Sequence, residues 1–338
     1  MDRNDFFAHI AHGRAIRNAD CRGWDLSDTD LSGAHFDNVD FTGADLTGAI
    51  LNDTQWQHCK LSNVTLERAR LVETRWFRCD LSRVNARATH IESSAFTESN
   101  VSDASFAGAE ITWTTWSDCD LKRTDMRCNR LERATLMRSQ MDGATLRDTR
   151  MSFVVFHDLD LRRADLAGAA CYDVTFMQCN LTAKRLSAQM FHQCRFTDSL
   201  LENADFSNAQ LGACTFKNAM LRQATFEGAS GAHAQFAHAD LSGAQFGHAQ
   251  FPQTVWTDAK LDEANFDHAT LTASVFHRAR CARASFHRAI LDDADMSMAD
   301  LSDADCSGAS LIRTRMHRAM VAGVQWATRH DAEITVSA

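Results

Sequence analysis

No run of about 18 apolar residues occurs in the 338-residue chain, so no segment reads as a transmembrane helix and no membrane partner is expected. A basic block is missing too: 35 Lys and Arg stand against 44 Asp and Glu, for a formal charge of −9. With nothing to neutralise phosphates, direct nucleic-acid binding is disfavoured. The opening Met1-Asp2-Arg3-Asn4-Asp5 has mixed charge and no apolar stretch behind it, which argues against a secretory signal and for a cytoplasmic location. Nucleophile motifs, phosphate loops and zinc-ligand spacings are also lacking. Neither an enzyme nor a cofactor nor a metal site is expected.

What the chain does contain is a period of five. From Cys21 to Trp326 a large apolar residue returns at every fifth position (Leu26, Leu31, Phe36, Phe41, Leu46 and onward), and only Ala86 and Gly231 fall short. The residue two before each centre is nearly always small. No helix or ordinary strand has this period, so the chain is a solenoid. Centre and small residue can both point inward while the three remaining positions face water. Ten of the eleven cysteines then lie inside, where they act as small hydrophobes: Cys21, Cys171, Cys281 and Cys306 as centres, Cys59, Cys79, Cys119, Cys179, Cys194 and Cys214 as small residues. Cys128 alone is expected outside. Thiols suffice for all of them, which suits a reducing cytosol.

Runs such as Ala44-Asp45-Leu46-Thr47-Gly48, Ala204-Asp205-Phe206-Ser207-Asn208 and Ala239-Asp240-Leu241-Ser242-Gly243 resemble the A(D/N)LXX signature of pentapeptide-repeat proteins. The resemblance covers about nine tenths of the chain. It implies an all-β fold, a right-handed quadrilateral parallel β-helix with twenty residues per coil. About 15 coils at strand spacing would make a rod ~75 Å long. Three parts are expected: an N-terminal cap over 1–20, a single β-helix over 21–326 and a tail over 327–338. In the cap, Phe6, Phe7, Ile10 and Ala11 follow helical spacing, with Asn4 or Asp5 as N-cap and Gly13 as stop. Such a helix would cover the open edge of the first coil. Ile334-Thr335-Val336 reads as one more strand or a loose end, and both monomer and homodimer are compatible with so short a tail.

The repeat is coarsest between 127 and 195. Asn129, Leu159, Lys184 and Gln189 occupy positions that should be small. A lysine cannot sit unpaired in a narrow core, so a bulge or an outward-turned strand is expected at 182–190. Nearby, Trp113, Met137, Phe153, Val155, Tyr172 and Met177 fall at outward positions. Aromatics and methionine rimmed by Arg130, Arg133, Arg138 and Arg150 have the composition of an interface core. Together with Lys184 and Gln189 they form the expected partner-binding region. A second candidate is the face running from Met190 to Ala273. Its outward positions, among them His192, Gln210, Gly212, Ser230, Ala232 and Pro252, carry no Asp, Glu, Lys or Arg. Histidines such as His248 and His268 fall outward and read as surface residues. A filled core is expected to leave no pocket for a substrate.

The resemblance offers two kinds of partner. Family members that protect DNA gyrase from quinolones are thought to imitate duplex DNA, which demands a sustained anionic stripe. Only Asp25, Asp28, Asp30, Asp40 and Asp45, and again Asp292, Asp293, Asp295, Asp300 and Asp303, hint at one. Other members are associated with bacterial toxin delivery such as type VI secretion, where a cytoplasmic protein would serve as immunity protein or accessory factor. A non-enzymatic rod that docks a protein partner fits best. A DNA-mimicking gyrase inhibitor is the alternative, and a purely structural scaffold the third reading.

Overall fold

The computed structural model describes residues 1–326, so the expected strand at Ile334-Thr335-Val336 lies outside the described residues. The chain divides into two compact units, Met1–Ala170 and Cys171–Ala338. Each is a parallel β-solenoid built on one local rule, which Phe41-Thr42-Gly43-Ala44-Asp45 illustrates. The Ala44 N–H donates to the Phe41 carbonyl at 2.8 Å and closes a turn. Gly43, third in that turn, holds φ +69°, as a type II turn requires. The neighbouring coils take up the remaining groups: Phe41 N–H donates to Lys60 O at 2.7 Å and Asp45 N–H to Trp24 O at 2.8 Å. Residues twenty apart therefore pair in parallel, as in Asp25↔Asp45 and Asp45↔Thr65.

The aspartate before each centre has a structural role. Asp45 Oδ1 accepts the Thr47 N–H at 2.9 Å, and Asp25, Asp205 and Asp300 do the same for Ser27, Ser207 and Ser302. An Asx-type bond of this kind satisfies a donor that no neighbouring coil reaches. These carboxylates belong to the turn.

In the first unit, helix α1 spans Arg3–Ala11 and is capped by Asp2, whose carboxylate accepts the Asp5 N–H at 2.8 Å. The cap lies ahead of the expected Asn4 or Asp5 because a short carboxylate at Asp2 reaches the third N–H of the first turn. Of the four apolar residues only Phe6 is buried, against Trp24 at 5.3 Å and Phe36 at 5.9 Å. Strand Ile16–Arg17 already pairs with His35–Asp37, so solenoid backbone begins inside the segment expected to be cap. Behind it the centres Phe36, Trp56, Trp76, Phe96 and Trp116 form one buried ring column, with successive centroids 4.2, 4.6, 5.8 and 5.5 Å apart.

Cys128 is buried, contrary to the sequence expectation, and Asn129 is exposed. The backbone tightens here: Cys128 N–H donates to Met126 O at 2.7 Å, and the left-handed corner expected at 128 is absent. The coil thereby exchanges an amide that would lose its water for a thiol that packs as a small hydrophobe. All eleven cysteines are free and buried.

In the second unit two ring columns run side by side. Phe206, Phe226, Phe246, Phe266 and Phe286 stack at 5.0, 4.6, 4.8 and 5.1 Å, and Phe216 and Phe236 of the other column meet Phe226 edge-on. The weak centre Gly231 is explained by its neighbour, since a Cβ there would overlap the ring of Phe251. The bulge expected at 182–190 does not form. Ala183 and Ala188 hold ordinary corner angles of φ 55° and 56°. Asp205 N–H donates to Lys184 O, and Gln210 N–H to Gln189 O, both at 2.9 Å. The ladder from the adjoining coil keeps the frame, with Lys184 half-buried within it.

Candidate protein-docking surfaces

The strands Glu110–Thr112, Arg130–Glu132 and Arg150–Ser152 lie in register in the first unit. The corners that follow them place Trp113, Arg133 and Phe153 in one column. Arg133 is sandwiched: its Cζ lies 4.9 Å from the Trp113 ring centroid and 5.1 Å from that of Phe153. Glu132, only 13 % exposed, fixes the guanidinium from below through Oε1 at 2.6 Å and also holds Arg130 through Nε at 2.7 Å. Trp113 remains 59 % exposed and Phe153 50 %.

All three corner residues adopt left-handed backbone, at φ 53°, 50° and 55°. Asn, Asp and Gly bear that conformation cheaply, whereas bulky rings do not. Each exposed cation–π contact returns about 0.5–1 kcal/mol. The result is an amphipathic knob of two exposed rings about one guanidinium. The remaining expected residues of this unit are placed differently. Arg138 is held by Asp118 in a bidentate pair, both bonds 2.9 Å, and that pairing lowers the Asp118 carboxyl to about 2. Its charge is therefore matched within the chain, whereas Arg130 and Arg133 share the single carboxylate of Glu132. Met137 and Val155 are half-buried on the next face, Val155 opposite Thr135 and Met137 opposite Ser117 and His157. Arg150 is exposed, one strand over from Arg130.

The other expected residues belong to the second unit. Tyr172 is half-buried, and its hydroxyl donates to the Met190 Sδ at 3.0 Å. Met177 is half-buried in strand Thr175–Met177. Gln189 is only 7 % exposed and its Oε1 has no partner, so it is a core residue rather than a contact residue. Unlike Asn129, Gln189 keeps the regular frame, with its carbonyl accepting the Gln210 N–H at 2.9 Å, and its side chain stays inside. Nor is the surface featureless, as a filled core had suggested. A groove of about 430 Å³ opens on the outer side of the uncharged face, between Tyr172 and Ala232. Sequence reasoning missed Glu132 as the anchor and Gly212 as the groove floor. Both become visible only when residues twenty apart are compared as columns.

A sequence profile for pentapeptide repeats matches residues 16–53, 104–143, 117–152, 144–182, 239–278 and 279–318, and a second, for a pentapeptide repeat region, matches 169–246. The chain belongs to the pentapeptide-repeat family. No curated relative matches it. Among solved pentapeptide-repeat structures it is similar to QnrB1, a plasmid-mediated fluoroquinolone resistance protein, at 21% identity over 58% of this chain and 87% of that one, with a TM-score of 0.37. It is also similar to HetL of the cyanobacterium Nostoc sp., a protein involved in heterocyst differentiation regulation, at 19% identity over 93% and 98% with a TM-score of 0.23. Rfr23 of the cyanobacterium Cyanothece gives 20% identity over 29% and 63% with a TM-score of 0.23. At such scores no function passes from one pentapeptide-repeat protein to another.

Proposed function

We propose that this protein is a non-enzymatic binding solenoid that docks one protein partner through the Trp113–Arg133–Phe153 corner and blocks it. The partner is a bacterial toxin or a component of a type VI secretion apparatus, met in the cytoplasm. The observation that carries the reading is the sandwich itself. Two large rings occupy corners where the backbone disfavours them, and both stay at least half exposed. Folding gains little from that arrangement, whereas binding gains much, because Trp and Arg supply most interface hot spots. The link to toxins and secretion rests on family analogy alone.

The test is affinity capture with the tagged full chain from its own cytosol, followed by calorimetry on the captured partner. Trp113→Ala and Phe153→Ala should each weaken binding by about 2 kcal/mol while the circular dichroism is unchanged. An undiminished affinity in the double variant would refute the assignment.

The DNA-mimic reading has one observation in its favour, the facing aspartates Asp20↔Asp40 and Asp25↔Asp45 of the first coils. Elsewhere four corner carboxylates are matched by arginines twenty residues on: Arg123 with Asp103, Arg278 with Asp258, Arg283 with Glu263 and Arg313 with Asp293. Those pairs interrupt an anionic stripe where they fall, which is why protein docking through the aromatic corner is preferred.

A further inference from the structure

We infer that the second unit carries a separate groove for an uncharged peptide segment of a partner protein, anchored there by one large apolar side chain. Tyr172, Met190, Phe191, Gln210, Gly212 and Ala232 line its walls and floor. The groove exists because one surface column loses bulk from coil to coil, passing from Tyr172 through His192 to Gly212 and Ala232. Gly212 decides the depth. Its φ is not left-handed, and a Cβ there would meet only His192 Nδ1, at an ordinary 3.7 Å. Neither backbone nor packing demands glycine at this position, yet any larger side chain would fill the space.

The occupant follows from the chemistry of the face. On this one face, no outward position in the coils from 190 to 273 carries Asp, Glu, Lys or Arg. An ionised ligand group would lose water here and find no counter-charge, so complementarity selects a neutral partner. Strand addition is closed off, because the lining backbone is spent in the ladder: Phe191 N–H donates to Gln210 O at 2.8 Å and Leu211 N–H to Ser230 O at 2.6 Å. Recognition must use side chains. The exposed Gln210 and Ser230 of the groove wall continue past it to the exposed Gln250, a row of neutral donors and acceptors suited to the amides of an extended peptide. A small free molecule would leave the far end of that row unused. The site shares no residue with the Trp113–Arg133–Phe153 corner, so either assignment can fail without the other.

Methionine-methyl NMR on the full chain, with Met190 assigned through Met190→Leu, tests the groove. A capped, uncharged pentapeptide with a central tryptophan should shift the Met190 resonance. N-acetyltryptophan amide alone should bind about ten-fold more weakly, since it cannot extend along the row to Gln250. Pentapeptides with aspartate or lysine beside the tryptophan should also lose about ten-fold. Gly212→Leu should abolish the shift, and Gly212→Ala, which the backbone accepts without strain, should weaken it. A Met190 signal that ignores the peptide, or binding that survives Gly212→Leu, would overturn the inference. Equal binding by the charged peptides would overturn it as well, and equal binding by the lone amide would show a small-molecule pocket instead.

Discussion

Phe226→Ala is the sharpest test of the inward assignment. Phe226 is fully buried, stacked between Phe206 at 5.0 Å and Phe246 at 4.6 Å, with Phe216, Phe236 and Phe251 edge-on at 6.0, 5.8 and 6.2 Å. Truncating a buried Phe to Ala costs about 3–5 kcal/mol, with the spread set by how far the site collapses. Collapse is restricted here. Phe226 donates its N–H to Gln245 O at 2.6 Å, Thr225 donates to Ala204 O at 2.9 Å, and the coils on both sides are held by the same ladder. The ring neighbours cannot close in without breaking those bonds, so the upper part of the range, about 4–5 kcal/mol, is expected. With a urea m-value of about 3 kcal/mol per M, the unfolding midpoint should fall by about 1.5 M. Thr225→Ala, on the adjoining outward position, should stay within about 0.5 kcal/mol of the parent. Urea titration followed by circular dichroism measures both. A Phe226→Ala midpoint indistinguishable from that of Thr225→Ala would mean that Phe226 is not a core residue.

Acid should weaken the fold at two kinds of site. Arg22 lowers the Asp20 carboxyl to about 2 and Arg138 does the same for Asp118, while serine hydroxyls and backbone N–H groups lower Asp25, Asp30 and Asp305. Because the folded values lie below the unfolded value of about 3.9, this stabilisation is complete above that pH and is lost as pH falls toward about 2. Tm should decline through that window, less steeply in Asp118→Asn, and a flat Tm would contradict the turn bonds described above. For the alternative reading, a DNA mimic should inhibit gyrase supercoiling with strong salt dependence, and Asp28→Lys, Asp40→Lys and Asp45→Lys together should abolish the effect. Absence of gyrase binding at low ionic strength would eliminate it.

The coil rule was legible because the inward positions carry a strict period, and Trp113 and Phe153 were recognisable as exposed rings on one surface. The contact that makes them a site was not. Arg133 read as a rim charge, and only the twenty-residue register places its guanidinium between the two rings. Cys128 and Asn129 show a finer limit. Two adjacent residues compete for one inward slot, and desolvation of the amide decides it through a local backbone change that periodicity does not encode. Lys184 misled in the opposite direction. It pointed to a bulge or an outward-turned strand at 182–190, but ladder bonds to the flanking coil hold the regular frame. The Gly212 groove was hidden because it arises from missing bulk, which leaves no motif.

The twenty-residue column has a consequence for how such a chain can change length. An insertion of five residues between Trp113 and Arg133 would leave every inward side chain inward and the hydrophobic interior continuous. It would also carry Arg133, and Phe153 with it, a quarter of the way around the perimeter, away from Trp113. Only steps of twenty return each surface residue to its neighbours. Growth by single repeats is therefore nearly silent for stability and destructive for a surface site that spans the insertion, whereas duplication of a whole coil preserves the surface pattern on either side of it. The core counts in fives and the surface counts in twenties, so lineages of this architecture can lengthen freely and still lose or relocate a binding face in one event.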